Sequence, residues 1–268
     1  MLDLFHQGLR WTHIVVGFVG LVVFWAPIFL KKGGGNHIRL GRIFVWCARI
    51  VGFSALFSCV WALASPTSFL GPSADPATAG RIGFFFAILG VLSLALLTAV
   101  FTGVDAPRYR KTPARLDSLK LASLHALQGF ASLALAANGA LNLAADGSSL
   151  YWIHVVLGAL MFFDAIDAHR YVKNPLPTPM AWWYRHMESM IGGGIAFHTA
   201  FAVFGFGRFF GFEIFQGTLG FVPWILPSAI GVPGSMIWIR RYKRKFGELQ
   251  PIGEAGGVAR TSPERFPG

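Results

Sequence analysis

Seven apolar runs alternate with short polar loops along the chain: Leu9–Leu30, Ile43–Ala64, Ile82–Gly103, Leu119–Leu143, Leu150–Ala168, His186–Phe206 and Leu219–Ile239. Each is close to the ~20 residues that a helix needs to cross a bilayer core. Lipid offers the backbone no hydrogen-bond partners, so such runs must bond internally as helices. The pattern predicts an all-α polytopic membrane protein, with a seven-helix transmembrane domain over residues 1–246 and a tail over residues 247–268. The tail is rich in Gly, Pro and Glu and poor in apolar residues, which predicts disorder. The first run is too long for a cleaved signal peptide, and it ends in Phe29-Leu30-Lys31-Lys32 rather than a small-residue cleavage site.

The loops differ in charge. Lys31, Lys32, Arg39 and Arg42 follow the first run, and Arg108, Arg110, Lys111, Arg115 and Lys120 follow the third. Arg170, Lys173 and Arg185 follow the fifth, and Arg240, Arg241, Lys243, Arg244 and Lys245 the seventh. The alternate loops hold only Arg81 and Arg208. Basic loops stay in the cytoplasm. The N-terminus is therefore expected outside and the C-terminus in the cytoplasm of a bacterial inner membrane, with anionic lipids facing the basic loops.

Composition supports this reading. Of 268 residues, 54% are hydrophobic and only 13% charged, too few charges for an ordinary soluble domain. The formal charge of +11 does not form a nucleic-acid patch, because the basic residues are dispersed among the loops. Cys47 and Cys59 fall in one predicted helix roughly 18 Å apart, too far to pair, and are expected to fill core space.

The stretch Trp182–Phe201, WWYRHMESMIGGGIAFHTAF, concentrates polar groups within an apolar run. Gly192, Ala196 and Ala200 recur every four residues, a small-residue face that predicts close helix packing. Two further segments have distinctive composition. Phe204–Phe215 mixes Phe and Gly with Arg208 and Glu213, as in an interfacial aromatic belt. Asn174–Met180 carries Pro175, Pro177 and Pro179 and reads as an extended connector.

Histidines and buried charges are the candidate chemistry. His13 and His154 lie about one turn below the outer surface, with Gly17 and Gly158 four residues on. A b-type haem takes two imidazoles from facing helices, with small residues to admit the macrocycle. His125 with His186 or His198 is the candidate inner ligand pair. The alternative is that each His bonds a neighbouring helix and each Gly permits close packing. Arg49, Asp164, Asp167, Glu188 and His186 form a charge cluster toward the cytoplasmic side. Charges inside a bilayer are costly and should face the bundle and pair. They define either a proton or ion relay or a structural salt bridge, Arg49 with Asp164 or Glu188. Pro227 and Pro233 interrupt the last run and predict a kink, a hinge or an ion site there.

Some chemistries are excluded. The last two runs contain no Lys for a retinal Schiff base, and the chain has no phosphate-cradling Gly loop with Lys, no HExxH and no Cys pair at zinc spacing. Trp11-Thr-His13-Ile-Val-Val-Gly17 and Trp152-Ile-His154-Val-Val-Leu-Gly158 suggest an internal duplication, runs one to three and five to seven flanking run four.

Three segments carry a resemblance: Lys31-Lys32 through His37-Ile38-Arg39-Leu-Gly41-Arg42, Arg185-His186-Met187-x-x-Met190 through Phe197-x-Thr199-Ala200-Phe201, and Trp224-Ile-Leu-Pro227-x-x-Ile-Gly231-x-Pro233. The chain resembles a family of bacterial predicted multi-span membrane proteins, a domain of unknown function. His37-Ile38-Arg39 stands where a His-Arg pair is the more usual form. The resemblance implies a membrane bundle and no particular activity. Three function classes are open: a bis-His haem b or metal-binding electron carrier, a small proton- or ion-coupled transporter, and a structural subunit that works with other membrane subunits.

Overall fold

The computed structural model describes residues 2–71, 75–175, 178–205 and 222–249. The elements are α1 (Leu2–Phe29), α2 (Gly35–Ala64), the short α3 (Pro66–Leu70), α4 (Pro76–Arg108), α5 (Leu119–Asp146), α6 (Trp152–Lys173), α7 (Ala181–Ala200) and α8 (Val222–Lys245). A π-helical turn, Phe201–Gly205, extends α7. No strand occurs among the described residues. Among the described residues, six helices are long and apolar enough to cross a membrane: α1, α2, α4, α5, α6 and α8. The run predicted over 186–206 is also helical, but α7 is not one of the six, because Arg185, His186 and Glu188 crowd its first turns.

Local chemistry sets the helix ends. At the start of α4, Asp75 Oδ1 accepts from the Thr78 backbone N–H at 2.8 Å, with Pro76 in the first turn. Ser118 caps α5, and Gly147 ends it in the left-handed region at φ 64°. Beyond α1, Lys32 Nζ donates to the Pro27 and Ile28 carbonyls at 2.8 and 2.6 Å. A cation is favourable at the negative end of a helix. Burial lowers the Lys32 pKa from the usual lysine value.

Contacts gather the basic loops at one end of the bundle. Lys173 Nζ donates to both Asp117 carboxylate oxygens at 2.9 Å. Glu248, just past α8, accepts from the Met180 N–H at 2.9 Å and from the Thr178 hydroxyl at 3.0 Å. The end of α8 is thereby tied to the loop that starts α7.

Packing centres on α4, which touches α2, α5, α6 and α7. α1 lies along α2, α5 along α6, and α8 against α7. Ile88, Leu92, Leu96 and Val100 of α4 form the middle of the apolar core with Phe24, Phe44, Ala48 and Phe197. The polarity is inverted relative to a water-soluble protein. Trp11, Val15, Phe18, Val22, Trp25 and Phe29 form an exposed apolar stripe down α1, while Thr98, Thr102, His125, Gln128 and Ser132 are buried. Cys47 and Cys59 are free and buried, as expected of core fillers.

Several sequence expectations change. α8 runs as one helix through Pro227 and Pro233, so neither proline breaks it. Of the small-residue face, Ala196 is buried in the apolar core but Gly192 is exposed. A Cβ on Gly192 would meet nothing within 4 Å, whereas Gly193 faces α4 and Gly194 abuts the Phe24 ring. The proposed duplication is reflected in the packing only in part, since α2 packs on α4 as α7 packs on α8. α1 lies along α2, but α6 and α7 share no packed interface among the described residues. Residues 206–215 of the expected aromatic belt, 219–221 at the start of the last run, 176–177 of the Pro-rich loop and 250–268 of the tail lie outside the described residues.

Candidate functional site

Polar side chains recur at helical spacing on the facing sides of α4 and α5. On α4 they are Thr98, Thr102 and Asp105; on α5 they are His125, Gln128 and Ser132. Positions i, i+3 or i+4 and i+7 share one helix face. All six are buried. His125 Nε2 meets Thr102 Oγ1 at 3.0 Å, and Asp105 accepts from Lys120 Nζ at 2.6 Å. Gln128 Nε2 donates to Asp164 Oδ2 on α6 at 2.9 Å and to the Met161 carbonyl at 3.1 Å. Four atoms of this file have no protein hydrogen-bond partner: His125 Nδ1, Gln128 Oε1, Ser132 Oγ and Thr98 Oγ1. Buried polar atoms ordinarily find partners, so such a cluster calls for a functional account.

Asp164 connects the file to the gap between α6 and α7, helices that share no packed interface among the described residues. Asp164, Asp167 and Tyr171 occupy one side of α6, at i, i+3 and i+7. Arg185 of α7 crosses to that side. Its guanidinium donates to Asp167 Oδ2 at 2.6 Å and lies 4.8 Å from the Tyr171 ring centre. Asp164 is exposed on this side although helices surround it on most others. It lies nine residues from the basic end of α6, or about 14 Å along the axis. On the α7 wall, Arg185, Glu188 and Gly192 share a face. Glu188 is half-buried and feels the charges of Arg185, Asp167, Lys243 and Asp164. The open space at Gly192 is part of this gap.

The other sequence candidates have separate positions. Arg49 is not paired with Asp164 or Glu188. Its guanidinium lies 4.4 Å from the Phe101 ring centre and 5.7 Å from that of Trp46, so a cation–π contact replaces the expected salt bridge. His186 Nδ1 donates to the Gly103 carbonyl at 2.6 Å, anchoring α7 to α4. His198 Nδ1 donates to the Gly194 carbonyl of its own helix, with its ring against Phe24 and Trp25.

The residues do not fit a bis-His haem. His13 Nδ1 pairs with Ser54 Oγ on α2 at 2.9 Å. His154 is held between Asn138, 3.0 Å from Nδ1, and the Phe84 carbonyl, 3.1 Å from Nε2, and it stacks on the Phe84 ring at 4.1 Å. A carbonyl only accepts, so Nε2 carries the proton. In a neutral ring the Asn138 amide then turns its NH₂ to Nδ1. Both nitrogens are occupied, and α1 and α6 share no packed interface among the described residues. Gly158 serves helix contact, since a Cβ there would lie 2.6 Å from Ala136 N and 2.7 Å from Ser132 O of α5. Gly17 lies 3.7 Å from Val51 by the same measure. The inner pair is also separated, because His125 faces Thr102 and His169 rather than His186 or His198. No cluster of three or more His, Cys, Asp or Glu suited to a metal ion occurs among the described residues.

Sequence reasoning found His125 and Asp164 but missed Thr98, Thr102, Gln128 and Ser132. The signal was their i, i+4 and i, i+3, i+7 spacing inside otherwise apolar runs. These features are those of a multi-pass helical membrane protein. Comparisons with protein-family models, with curated proteins and with solved structures each gave no match.

Proposed function

We propose that the chain is a small proton-coupled membrane carrier, with Asp164 as its central proton-binding group. In this reading α7 is a seventh crossing, the N-terminus is outside and the basic end faces the cytoplasm of a bacterial inner membrane. One observation carries it. Asp164 stands at mid-depth, exposed on the side where α6 and α7 share no packed interface and hydrogen-bonded on the other to a file that holds four buried polar atoms without partners. Charged groups at such depth are uncommon and mark ion and proton pathways. A carboxylate there is neutralised by a proton, and Gln128 holds it in place in either state, donating from Nε2 and keeping Oε1 as an acceptor. Arg185 and Asp167 bridge α7 and α6 toward the basic end, so their separation opens a route to Asp164. Proton uptake at Asp164, with the Arg185–Asp167 pair apart, would load the carrier.

Purified protein in liposomes containing a pH-sensitive dye tests this. An imposed potential should drive proton flux that Asp164→Asn abolishes while its unfolding midpoint stays within a few degrees of wild type. Equal flux from wild type, Asp164→Asn and empty liposomes would refute the proposal and leave the pair a structural one. Flux that follows a sodium gradient but not a proton gradient would make the coupling ion a metal cation.

A further inference from the structure

A second site lies at the basic end, between the end of α1 and the last turns of α8, away from the polar file. Ile28, Lys32, Trp238, Arg241, Tyr242 and Lys245 line a groove of about 380 Å³. The four α8 residues fall at i, i+3, i+4 and i+7 and so make one stripe. Three cations and no acid line the groove. Arg241 and Lys245 are exposed and have no carboxylate partner among the described residues. Lys32 is fixed in place. Two of its three ammonium donors are held by the Pro27 and Ile28 carbonyls, and its charge lies 5.7 Å from the Trp238 ring centre.

We infer that this groove binds the phosphate of an anionic phospholipid. Two guanidinium or ammonium groups and the third Lys32 donor offer charge-assisted hydrogen bonds to phosphate oxygens. The surroundings favour a lipid over free phosphate. α1 and α8 share no packed interface among the described residues, so the groove opens sideways. Exposed Trp25, Phe29 and Ile237 continue from it along the two helices, giving acyl chains an apolar path. Trp and Tyr rings beside cations are the usual furniture of the headgroup level.

The test uses full-length, delipidated protein in a zwitterionic detergent, with short-chain phosphatidylglycerol, short-chain phosphatidylcholine and inorganic phosphate as probes. Binding is read by Trp fluorescence and thermal shift. Phosphatidylglycerol should bind saturably and the other two should not. The double variant Arg241→Gln/Lys245→Gln should weaken it by roughly tenfold or more. Arg240→Gln/Arg244→Gln removes the same charge from the opposite face of α8 and should leave binding unchanged. Equal loss in both variants would overturn the groove in favour of a diffuse surface potential. Equal binding of inorganic phosphate would overturn the lipid, and unchanged binding in Arg241→Gln/Lys245→Gln would overturn the site.

Discussion

Alanine at Gly158 and at Gly192 should shift stability in opposite directions. At Gly158 the new methyl would lie 2.6 Å from Ala136 N, 2.7 Å from Ser132 O and 2.9 Å from Ala136 Cβ. Two of these obstacles are backbone, so α5 itself must move. Overpacking against backbone falls in the upper part of the usual range, about 2–3 kcal/mol. The intrinsic helix gain of Ala over Gly returns about 1 kcal/mol, so Gly158→Ala should lose roughly 1–2 kcal/mol net. At Gly192 there is nothing within 4 Å, and only the helix gain applies. Gly192→Ala should therefore be neutral or more stable by up to about 1 kcal/mol. Reversible unfolding of micelle-solubilised protein by SDS, followed by helical circular dichroism, measures both. Gly158→Ala as stable as wild type, or Gly192→Ala as the more damaging of the two, would refute the assignment of α5–α6 as the tight interface and of Gly192 to an open gap.

Removing His154 with Ala loses two hydrogen bonds and leaves a void beside Phe84. Unfolding in SDS should show a loss of about 2–4 kcal/mol. The Arg185–Asp167 pair is exposed at Asp167, with a side chain 66% accessible, and buried at Arg185, at 11%. A double-mutant cycle with Arg185→Gln and Asp167→Asn should give a coupling of about 1 kcal/mol or less, while either single change raises the access of a cysteine reagent to a cysteine placed at 164. Glu248→Gln keeps the shape of the α8 anchor but removes its charge from the Met180 N–H. It should lower stability by about 1 kcal/mol and speed proteolysis after α8, read by mass spectrometry of the fragments.

Much of the fold follows from hydrophobic patterning alone. Every predicted run contains a helix because lipid-compatible sequence has few other ways to satisfy its backbone. His125 and Asp164 were legible as candidates, and both join the polar file. Rotation about each helix axis was not. Arg49 looked free to meet an acid, but its azimuth directs it to Phe101. The His13–Gly17 and His154–Gly158 spacings looked alike, yet one histidine meets Ser54 and the other Asn138 and Phe84. Spacing fixes which residues share a face and says nothing of which neighbour that face meets. The prolines of α8 leave the helix continuous. Pro227 and Pro233 each remove a donor, but the rest of the turn is enough to carry the helix on.

The contrast between Gly158 and Gly192 also divides the molecule mechanically. Backbone-to-backbone contact at Gly158 locks α5 and α6 into a single body, because neither can slide without collision. Across the gap from them, α7 and α8 are braced separately through Glu248 and the Lys243 contact with Tyr184. In the proposed carrier, access to Asp164 widens when one helix pair rocks against the other. The Arg185–Asp167 pair sits at the seam, where a small angular change produces the largest separation.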